Sequence, residues 1–320
     1  MPTTVTPRDP LFLAGSTAVG KSEVALLLAE RLGGEIITVD SMQVYRELDI
    51  GTAKPSAVDR ARVPHHLLDV VELTESFDAA KFAELAHSAI RQIQERGRIA
   101  ILCGGTGLYF KALLDGLGES PPANRALRAE LEATPLADLL SELANHDPAT
   151  YERIDRRNPR RVIRALEVIR LTGKPFFEQR AQWPVSEQTH TTHRAPRFFA
   201  LSRTNEDLRS RIDSRVDQMF EHGLVAETRR LIERGLDQNK TAMQAIGYRQ
   251  VVEHLRGERP LAETITLVKT RTRQFAKRQL TWFRRQLPVK WIAVGAGERS
   301  EEVVARVEAE LETVSGSVIE

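Results

Sequence analysis

The sequence predicts an α/β protein in which a parallel β-sheet is flanked by helices and interrupted by an inserted all-helical domain. In the first third of the chain, short apolar runs alternate with helix-like segments, and each run ends in a polar or glycine-rich turn. This alternation is typical of a parallel sheet whose strands are joined by helices. From about residue 121 the sequence becomes mostly helical, and strand-like runs return near residues 197 and 289. We therefore expect a core formed by residues 1–120 and 196–320, with the inserted domain at 121–195.

The first part of the core contains three predicted strands and two predicted helices. The strands are Leu11–Ala14, Glu35–Val39 and Arg98–Cys103, and the helices between them are Glu23–Leu32 and Ala79–Arg96. In such sheets ligands bind beyond the carboxyl ends of the strands. The residues that follow each strand are therefore the first candidates for a functional site.

The rest of the chain is predicted to complete this sheet after a helical interval. Residues 124–171 have helical character, and Arg197–Leu201 is predicted as a strand that returns to the sheet. Helices are expected at 205–234 and 261–286, followed by a last strand at Val289–Val294. Residues 196–320 thus complete the core and supply a basic helical C-terminal region.

Composition indicates a globular protein with a substantial core. The chain has 320 residues, of which 41% are hydrophobic, and its 46 basic and 44 acidic residues leave a net charge of only +2. The overall charge therefore does not indicate a nucleic-acid partner. The single cysteine excludes an intramolecular disulfide and a multi-cysteine metal site, which fits a reducing cytosol. With no secretory signal or membrane-spanning apolar run, we expect a cytoplasmic protein that does not bind membranes. We also expect it to be a monomer.

The most informative motif is a phosphate-binding loop between the first strand and the first helix. The pattern G-x-x-x-x-G-K-[ST] is matched by Gly15, Ser16, Thr17, Ala18, Val19, Gly20, Lys21 and Ser22. Glycines allow backbone N–H groups to turn toward phosphate oxygens, and the following helix N-terminus adds positive potential. Lys21 supplies a point charge, and Ser22 occupies the position that normally holds Mg²⁺. The core is therefore predicted to be P-loop NTPase-like.

An acidic residue follows the second predicted strand directly. Asp40 begins the segment Asp40–Tyr45, where its carboxylate would face the phosphate loop across the top of the sheet. It could hold Mg²⁺ through water or accept a proton from a nucleophile. Alternatively, Asp40 followed three residues later by Gln43 resembles a helix capping box. From the residues alone both interpretations remain open.

A glycine-rich turn, Gly104–Tyr109, follows the third predicted strand. Its paired glycines would permit close approach of the backbone to a ligand, and Thr106 offers a hydroxyl beside the same crevice. The pattern is not G-x-G-x-x-G, and it does not indicate a dinucleotide site.

Basic residues form two clusters despite the balanced overall charge. Six arginines lie between Arg153 and Arg164, several at the three- and four-residue spacing that places them on one helical face. Between Lys269 and Trp291 there are eight basic residues and no acid, interleaved with aromatic residues. These clusters favour phosphate binding as an electrostatic footprint over an ordinary solvated face.

The order of these motifs resembles that of a known family. The phosphate loop is followed by Asp40–Tyr45, Asp49–Pro55, Pro64–Asp69, Gly104–Tyr109, Asn158–Glu167, Gln244–Arg249 and Lys277–Arg284. This series of eight blocks resembles the bacterial tRNA dimethylallyltransferases, also called tRNA isopentenyltransferases, of the IPP transferase family. The similarity extends over nearly the whole chain.

The resemblance implies transfer of a dimethylallyl group from dimethylallyl diphosphate to the exocyclic N6 amine of the adenosine 3′ to the anticodon of tRNA, with release of diphosphate. The phosphate loop would hold the diphosphate of the prenyl donor, with Lys21 neutralising the leaving group and Mg²⁺ as its counterion. Asp40 would accept a proton from the attacking amine or orient it, and Thr106 would be the third catalytic residue. Arg211 or Arg215 would reach the diphosphate.

The resemblance also implies a set of contacts with the tRNA anticodon stem-loop. The inserted region at 121–195 would clasp the anticodon stem, and stacking on aromatic side chains would add to phosphate contacts. The implied contact residues are Asp40, Ser41, Met42, Gln43, Arg128, Arg160, Arg161, Val162, Ile163, Arg164, Gln244, Ala245, Ile246, Gly247, Tyr248, Arg249, Lys277, Arg278, Gln279, Leu280, Thr281, Trp282, Phe283 and Arg284.

Two other functions fit the phosphate loop. A P-loop kinase of a small metabolite or nucleoside would use Asp40 as base and arginines to clamp phosphates. A P-loop ATPase could act as an RNA-binding switch without group transfer. The long basic aromatic stretch and the arginine-rich insert disfavour the kinase. The sequence also shows no convincing Walker-B strand of four apolar residues ending in aspartate, which weakens both alternatives.

Overall fold

The structure, a computed structural model, describes residues 9–118, 121–179 and 197–316. Its centre is a six-stranded parallel sheet with the strand order β3-β2-β4-β1-β5-β6. The strands are β1 Leu11–Gly15, β2 Gly34–Val39, β3 His65–His66, β4 Ile99–Gly104, β5 Phe198–Ser202 and β6 Lys290–Ala293. This architecture confirms the predicted α/β class.

Fourteen α-helices lie within the described residues. In the first part of the chain they are α1 Lys21–Leu32, α2 Ala57–Arg62, α3 Ala79–Glu95 and α4 Gly107–Asp115. The middle of the chain forms α5 Arg125–Ala133, α6 Leu136–His146, α7 Pro148–Arg153, α8 Pro159–Thr172 and α9 Phe176–Gln179. The last part forms α10 Asn205–Glu221, α11 Leu224–Glu233, α12 Tyr248–Leu255, α13 Leu261–Gln286 and α14 Ser300–Gly316.

The central strands are buried along almost their whole length. Every residue of β1 and β2 is buried, as are all but one of β4 and of β5. Continuous apolar strands of this kind are typical of parallel sheets covered by helices on both faces. On one face α1 and α14 close a core that includes Leu28, Val304 and Val307. The buried β1 thereby fixes the position from which the phosphate loop departs.

The chain divides into two compact units. The larger unit contains the sheet, with residues up to Leu114 and the segment from Val185 onward, and the smaller unit is Asp115–Pro184. The smaller unit contains α5 to α9, and its core includes Leu131, Leu143 and Leu166. The inserted domain was expected at 121–195. The structure begins this unit six residues earlier, and the expected C-terminal limit lies outside the described residues.

Several details differ from the sequence prediction. The helix expected at 205–234 is interrupted: α10 ends at Glu221 and α11 begins at Leu224, because Gly223 adopts a φ of 97° that ends a helix. The short strand β3 and helices α2, α4, α9, α12 and α14 were not predicted. None of the described helices combines the length and apolarity required to cross a bilayer.

Candidate active site

The phosphate loop connects β1 to α1 through a sharply turned backbone. Gly20 has a φ of 105°, which strains any residue with a side chain, and Ala18 also has a positive φ of 62°. This path makes Lys21 the first residue of α1. The N–H groups in the first turn of a helix have no carbonyl partner four residues back. The loop therefore presents backbone donors and the positive end of α1 to an anion.

Basic side chains surround the loop and hold its carbonyl groups. Lys21 Nζ donates to the Ser16 carbonyl at 3.2 Å, and Arg211 Nε donates to the Ala18 carbonyl at 2.9 Å. Arg203, which the sequence analysis did not single out, donates through Nε to the Val19 carbonyl at 2.8 Å. The carbonyls of Ser16, Ala18 and Val19 are thus engaged by cations. The Thr17 and Val19 N–H groups are bound within the protein, so the first turn of α1 and the remaining loop amides are the donors for a phosphate.

The charge state of the site depends on burial. Burial lowers the pKa of the Lys21 ammonium; nearby Arg215 lowers it further, whereas Asp40 and Cys103 act in the opposite direction. Burial and the neighbouring Arg211 also lower the pKa of Arg215. Crowded cations of this kind are stabilised when an anion binds among them. The arrangement therefore favours a multiply charged anion.

Two adjoining cavities meet at this loop. The first, of about 480 Å³, is lined by Lys21, Ser22, Arg211 and Arg215. The second shares Lys21, Ser22 and Arg215 with the first and extends to Asp40, Phe275 and Gln279. The phosphate loop and Asp40 therefore face one continuous site. The sequence predicts that Asp40 faces the phosphate loop across the top of the sheet, and in the structure β4 lies between the two strands that they follow.

Asp40 both caps a turn and lines the site. Its Oδ1 accepts hydrogen bonds from the backbone N–H groups of Met42 at 2.8 Å and Gln43 at 3.3 Å. Among the described residues, Oδ2 accepts no hydrogen bond, and the carboxylate lines the cavity that contains Lys21. One oxygen thus fixes the orientation of the group while the other can meet a substrate proton. The two interpretations left open by the sequence are compatible.

Thr106 supports the loop that carries Asp40. Its Oγ1 accepts from the backbone N–H of Ser41 at 3.2 Å, and its own N–H donates to the Val39 carbonyl at 3.2 Å. Thr106 is not among the residues that line either cavity. Its observed contacts therefore position Asp40.

The glycines of the turn at 104–107 make room for neighbouring parts of the protein, and Gly104 also lines the cavity that contains Asp40. A Cβ on Gly104 would lie 2.0 Å from the Val39 carbonyl oxygen. One on Gly105 would lie 2.3 Å from Gln279 Nε2, and one on Gly107 would lie 2.1 Å from Trp282 Cε3. Helix α13 therefore packs directly against this turn.

The loop at 49–55 is held by buried polar groups. Lys54 Nζ donates to the Tyr45 carbonyl at 2.6 Å and is paired with Asp49 and Asp69. From the other side, the Tyr248 hydroxyl accepts from the Gly51 N–H at 3.0 Å and donates to Glu227. Burial raises the pKa of Glu227, whereas its hydrogen bonds with Tyr248 and the Ile50 N–H act in the opposite direction. The Gln244–Arg249 motif thus contributes to the loop through its buried tyrosine.

The basic stretch of α13 is partly neutralised by α10. Lys269 pairs with Asp217 at 2.7 Å, and Arg273 Nε donates to Asp213 at 2.8 Å. The charges of Lys269 and Arg273 are therefore compensated within the protein. The exposed polar side chains near the C-terminal end of α13 are Lys277, Arg278, Thr281, Arg284 and Arg285.

The residues implied as RNA contacts differ in exposure. In the smaller unit, Arg160 and Arg161 are exposed on the first turn of α8, whereas Arg164 and Arg128 bind the buried Glu167 at 2.7 and 3.0 Å. Side chains can reach RNA only where they are exposed. The implied contact residues that are buried are Val162, Ile163, Ala245, Gly247, Tyr248, Gln279 and Phe283.

Sequence comparison identifies relatives over most of the chain. The profile of the IPP transferase family matches residues 43–286. The tRNA dimethylallyltransferase 1 of Trichlorobacter lovleyi is 47% identical over 287 residues, covering 88% of this chain and 93% of that protein. The corresponding protein of Citrifermentans bemidjiense is 45% identical over 282 residues, covering 88% and 91%.

Solved structures give the same result. A tRNA isopentenylpyrophosphate transferase from Bacillus halodurans is 39% identical with a TM-score of 0.68, and the match covers 98% of this chain and all of that one. A eukaryotic dimethylallyltransferase, crystallised while acting on tRNA, has a TM-score of 0.76 at 28% identity, covering 96% and 80%. These matches confirm the resemblance seen in the sequence motifs. The chain belongs to the IPP transferase family.

Proposed function

We propose that this protein transfers the dimethylallyl group of dimethylallyl diphosphate to the N6 amine of the adenosine 3′-adjacent to the anticodon of tRNA. As a member of its family the chain is a prenyl-transferring enzyme, and the proposal adds the substrates and the roles of its residues. The carrying observation is that the cationic phosphate loop and the carboxylate of Asp40 line one site. In this arrangement the phosphate loop can bind the departing diphosphate, and Asp40 can accept a proton from the attacking amine.

The phosphate loop stabilises the leaving group. As the bond between C1 of the dimethylallyl group and the diphosphate oxygen breaks, negative charge accumulates on the diphosphate. Lys21, Arg211 and Arg215 surround the cavity in which this charge develops. Preorganised cations and backbone donors stabilise such charge most strongly in a site from which water is excluded. The allylic carbon itself tolerates positive charge, which makes this route accessible.

Asp40 prepares the nucleophile. The lone pair of the adenine amine is conjugated with the ring, so the amine attacks only when it is oriented and relieved of a proton. As the bond between N6 and C1 forms, Asp40 Oδ2 accepts one N6 proton, while Oδ1 stays bound to the turn amides. Thr106 keeps this turn in place through Ser41.

The residues present fit a magnesium ion bound mainly by the diphosphate. Mg²⁺ prefers oxygen ligands and is commonly held by few protein groups together with substrate phosphates. The exposed Ser22 at the start of α1 lines both cavities and offers a hydroxyl oxygen there, with Asp40 in the second cavity. Among the described residues, no cluster of three or more His, Cys, Asp or Glu could hold a metal alone. Mg²⁺ bound at Ser22 would supply additional charge neutralisation for the leaving group.

The acceptor is a base from an RNA loop. The relatives are named as enzymes of tRNA, and one solved neighbour was crystallised while acting on tRNA. In this chain the exposed basic residues of α13 and α8 would bind the RNA phosphates. The target adenosine must leave its stack to reach the cavity, as in other base-modifying enzymes. We propose that the protein acts in the cytoplasm as a monomer, with the smaller unit clasping the anticodon stem.

One assay tests this function against phosphorylation. The protein is incubated with unmodified tRNA, Mg²⁺ and either dimethylallyl diphosphate or ATP, and the nucleosides are analysed by mass spectrometry. A gain of one five-carbon unit on adenosine, dependent on the prenyl donor, is expected. ATP turnover without prenyl transfer would contradict the proposal and favour a P-loop kinase or ATPase.

A further inference from the structure

Within the segment Lys277–Arg284 of α13, Gln279 turns its polar side chain toward the protein interior. Its neighbours Lys277 and Arg278 are exposed, whereas Gln279 is only 8% exposed. A polar side chain is buried at such a position only when hydrogen bonds compensate its desolvation. Its partners therefore reveal what it does.

Both ends of the Gln279 amide are engaged, and they bind different loops of the active site. The Oε1 atom accepts from the backbone N–H of Thr17 in the phosphate loop at 2.9 Å. The Nε2 atom donates to the carbonyl of Gly105, after β4, at 2.9 Å. These partners lie 262 and 174 residues away in the sequence. One side chain thus bridges two loops that the chain itself does not connect locally.

The backbone of Gly105 lies in direct contact with the amide group of Gln279. A Cβ on Gly105 would lie only 2.3 Å from Gln279 Nε2, so a side chain at this position would displace the bridge. A single amide group with two bonds of normal length leaves little freedom for either loop to shift. Beyond the paired ends of β1 and β4 at Ala14 and Gly104, the bridge therefore restrains the separation between the phosphate loop and the glycine turn.

The glycine turn is connected through Thr106 to Asp40, the proposed proton acceptor. Thr106, next to Gly105, binds the backbone of Ser41, and Asp40 precedes that residue. A path of backbone and hydrogen bonds therefore runs from Thr17 through Gln279 and Thr106 to Asp40. The two ends of this path carry the leaving-group site and the proton acceptor.

We infer that Gln279 is a positioning residue that sets the spacing between the diphosphate-binding loop and Asp40. The inference rests on the proposed prenyl transfer. In that reaction the phosphate loop must hold the diphosphate while Asp40 accepts a proton from the adenine amine. Because the Thr17 N–H donates to Gln279, this N–H is not a donor to the diphosphate. In-line displacement is sensitive to position, and a misplacement of about 1 Å can lower a rate by about 100-fold.

The decisive variant is Gln279→Met, which keeps the length and burial of the side chain but removes both hydrogen bonds. We expect kcat for prenyl transfer to fall about 10- to 100-fold, whereas the Kd for an anticodon stem-loop RNA changes less than about 3-fold. All rates are measured well below the melting temperature of the variant. An unchanged kcat together with a lowered melting temperature would overturn the inference, because Gln279 would then be merely structural.

The variant Gln279→Glu gives a second readout that a packing role would not move. As a carboxylate it can accept from Thr17 but is repelled by the Gly105 carbonyl, whereas the protonated carboxyl can donate to that carbonyl. The activity of Gln279→Glu relative to the wild type at the same pH should therefore rise as the pH falls. A ratio that is constant with pH would contradict the bridging role.

A matched control and a separate binding measurement distinguish failure of the proposed prenyl transfer from failure of the role assigned to Gln279. Gln274→Met changes an exposed glutamine of the same helix and should leave kcat within about 2-fold of the wild type. Calorimetric titration with inorganic diphosphate, which needs no transfer activity, should show weaker binding to Gln279→Met by about 10-fold. If the wild type failed to transfer a prenyl group, the proposed function would fail, whereas unchanged diphosphate binding and an unchanged rate would refute only the role of Gln279.

Discussion

At the scale of single residues, Asp40 performs two tasks with its two carboxylate oxygens. Oδ1 accepts from two backbone amides of the following turn, and the group lines the cavity shared with Lys21. Because capping requires only an acceptor, an asparagine can perform it equally well. Proton acceptance from an amine requires the carboxylate. Substitution can therefore separate these tasks.

We expect Asp40→Asn to lower kcat by about 100- to 10,000-fold, because it removes the proton acceptor. The melting temperature and the Kd for anticodon stem-loop RNA should stay close to those of the wild type, because Asn Oδ1 still caps the turn. Asp40→Ala should lose the same activity and also some stability. Single-turnover rates and thermal melts of both variants provide the measurement. Near-normal turnover by Asp40→Asn would refute its role as base.

At the scale of elements, α13 has two sides with different partners. Its inner side places Gln279 and Trp282 against the glycine turn, and its outer side exposes Lys277 and Arg278. A third group of basic residues, represented by Lys269, is paired with acids of α10. Only the outer charges are therefore available to release counterions from RNA.

Removing both outer charges, with Lys277→Ala and Arg278→Ala combined, should weaken RNA binding and flatten its dependence on salt. Each lost phosphate contact should reduce the slope of log K against log salt by about 0.7 to 1. Fluorescence anisotropy between about 50 and 200 mM salt measures this slope. Lys269→Ala is the matched control, and its slope should equal that of the wild type. An unchanged slope in the double variant would place the RNA elsewhere.

A second element-scale feature is the carboxylate that joins β2, β3 and the end of α3. Glu35 is 4% exposed at its side chain and binds His66 Nε2 at 2.6 Å and Arg96 at 2.7 Å. Burial alone would raise the pKa of Glu35, but the hydrogen bonds from Arg96 and His66 outweigh burial and lower it. The folded state therefore binds the Glu35 proton less tightly than the unfolded chain does.

The sign of the resulting pH dependence follows from linkage. A lowered pKa in the folded state stabilises the protein above the unfolded pKa, near 4.5, and this contribution is lost as the pH falls through the folded value. Glu35→Gln should lower the free energy of unfolding at pH 7 by about 1–3 kcal/mol. The difference from the wild type should shrink below pH 4.5. Urea denaturation at pH 7 and pH 4 tests this, and a difference that grew on acidification would contradict it.

At the scale of the whole molecule, the chain consists of a sheet-containing unit and a helical unit with separate cores. The described phosphate loop, Asp40 and Gln279 belong to the first unit. The exposed Arg160 and Arg161 belong to the second, where they begin α8 next to the capping residue Asn158. The proposed chemistry and part of the proposed RNA binding are thus assigned to different units.

This division predicts a selective effect of charge removal in the helical unit. Arg160→Ala combined with Arg161→Ala should weaken binding of full-length tRNA about 5- to 50-fold, because phosphate contacts contribute much of such affinity. Binding of inorganic diphosphate should be unchanged, since its site lies in the other unit. Arg170→Ala is the control for loss of positive charge on the same helix. Arg170 is paired with Glu130 and Glu142. Equal tRNA affinity of the double variant and this control would refute the clasping role.

The sequence by itself determined the α/β class, the phosphate loop, the position of Asp40 and the family. These features depend on local patterns: alternation of apolar runs and helices, a fixed loop spacing, and residues that directly follow strands. The order of the motifs added the family because it extends over nearly the whole chain.

Only the tertiary structure decided which side chains face the site. Sequence patterns grouped Gln279 with Lys277 and Tyr248 with Arg249, yet the first of each pair is buried and binds a distant loop. Arg203 reaches the phosphate loop although nothing in its local sequence indicates this. The glycines at 105 and 107 serve α13, more than 170 residues later. Burial and long-range hydrogen bonds depend on how elements pack, and local spacing cannot specify them.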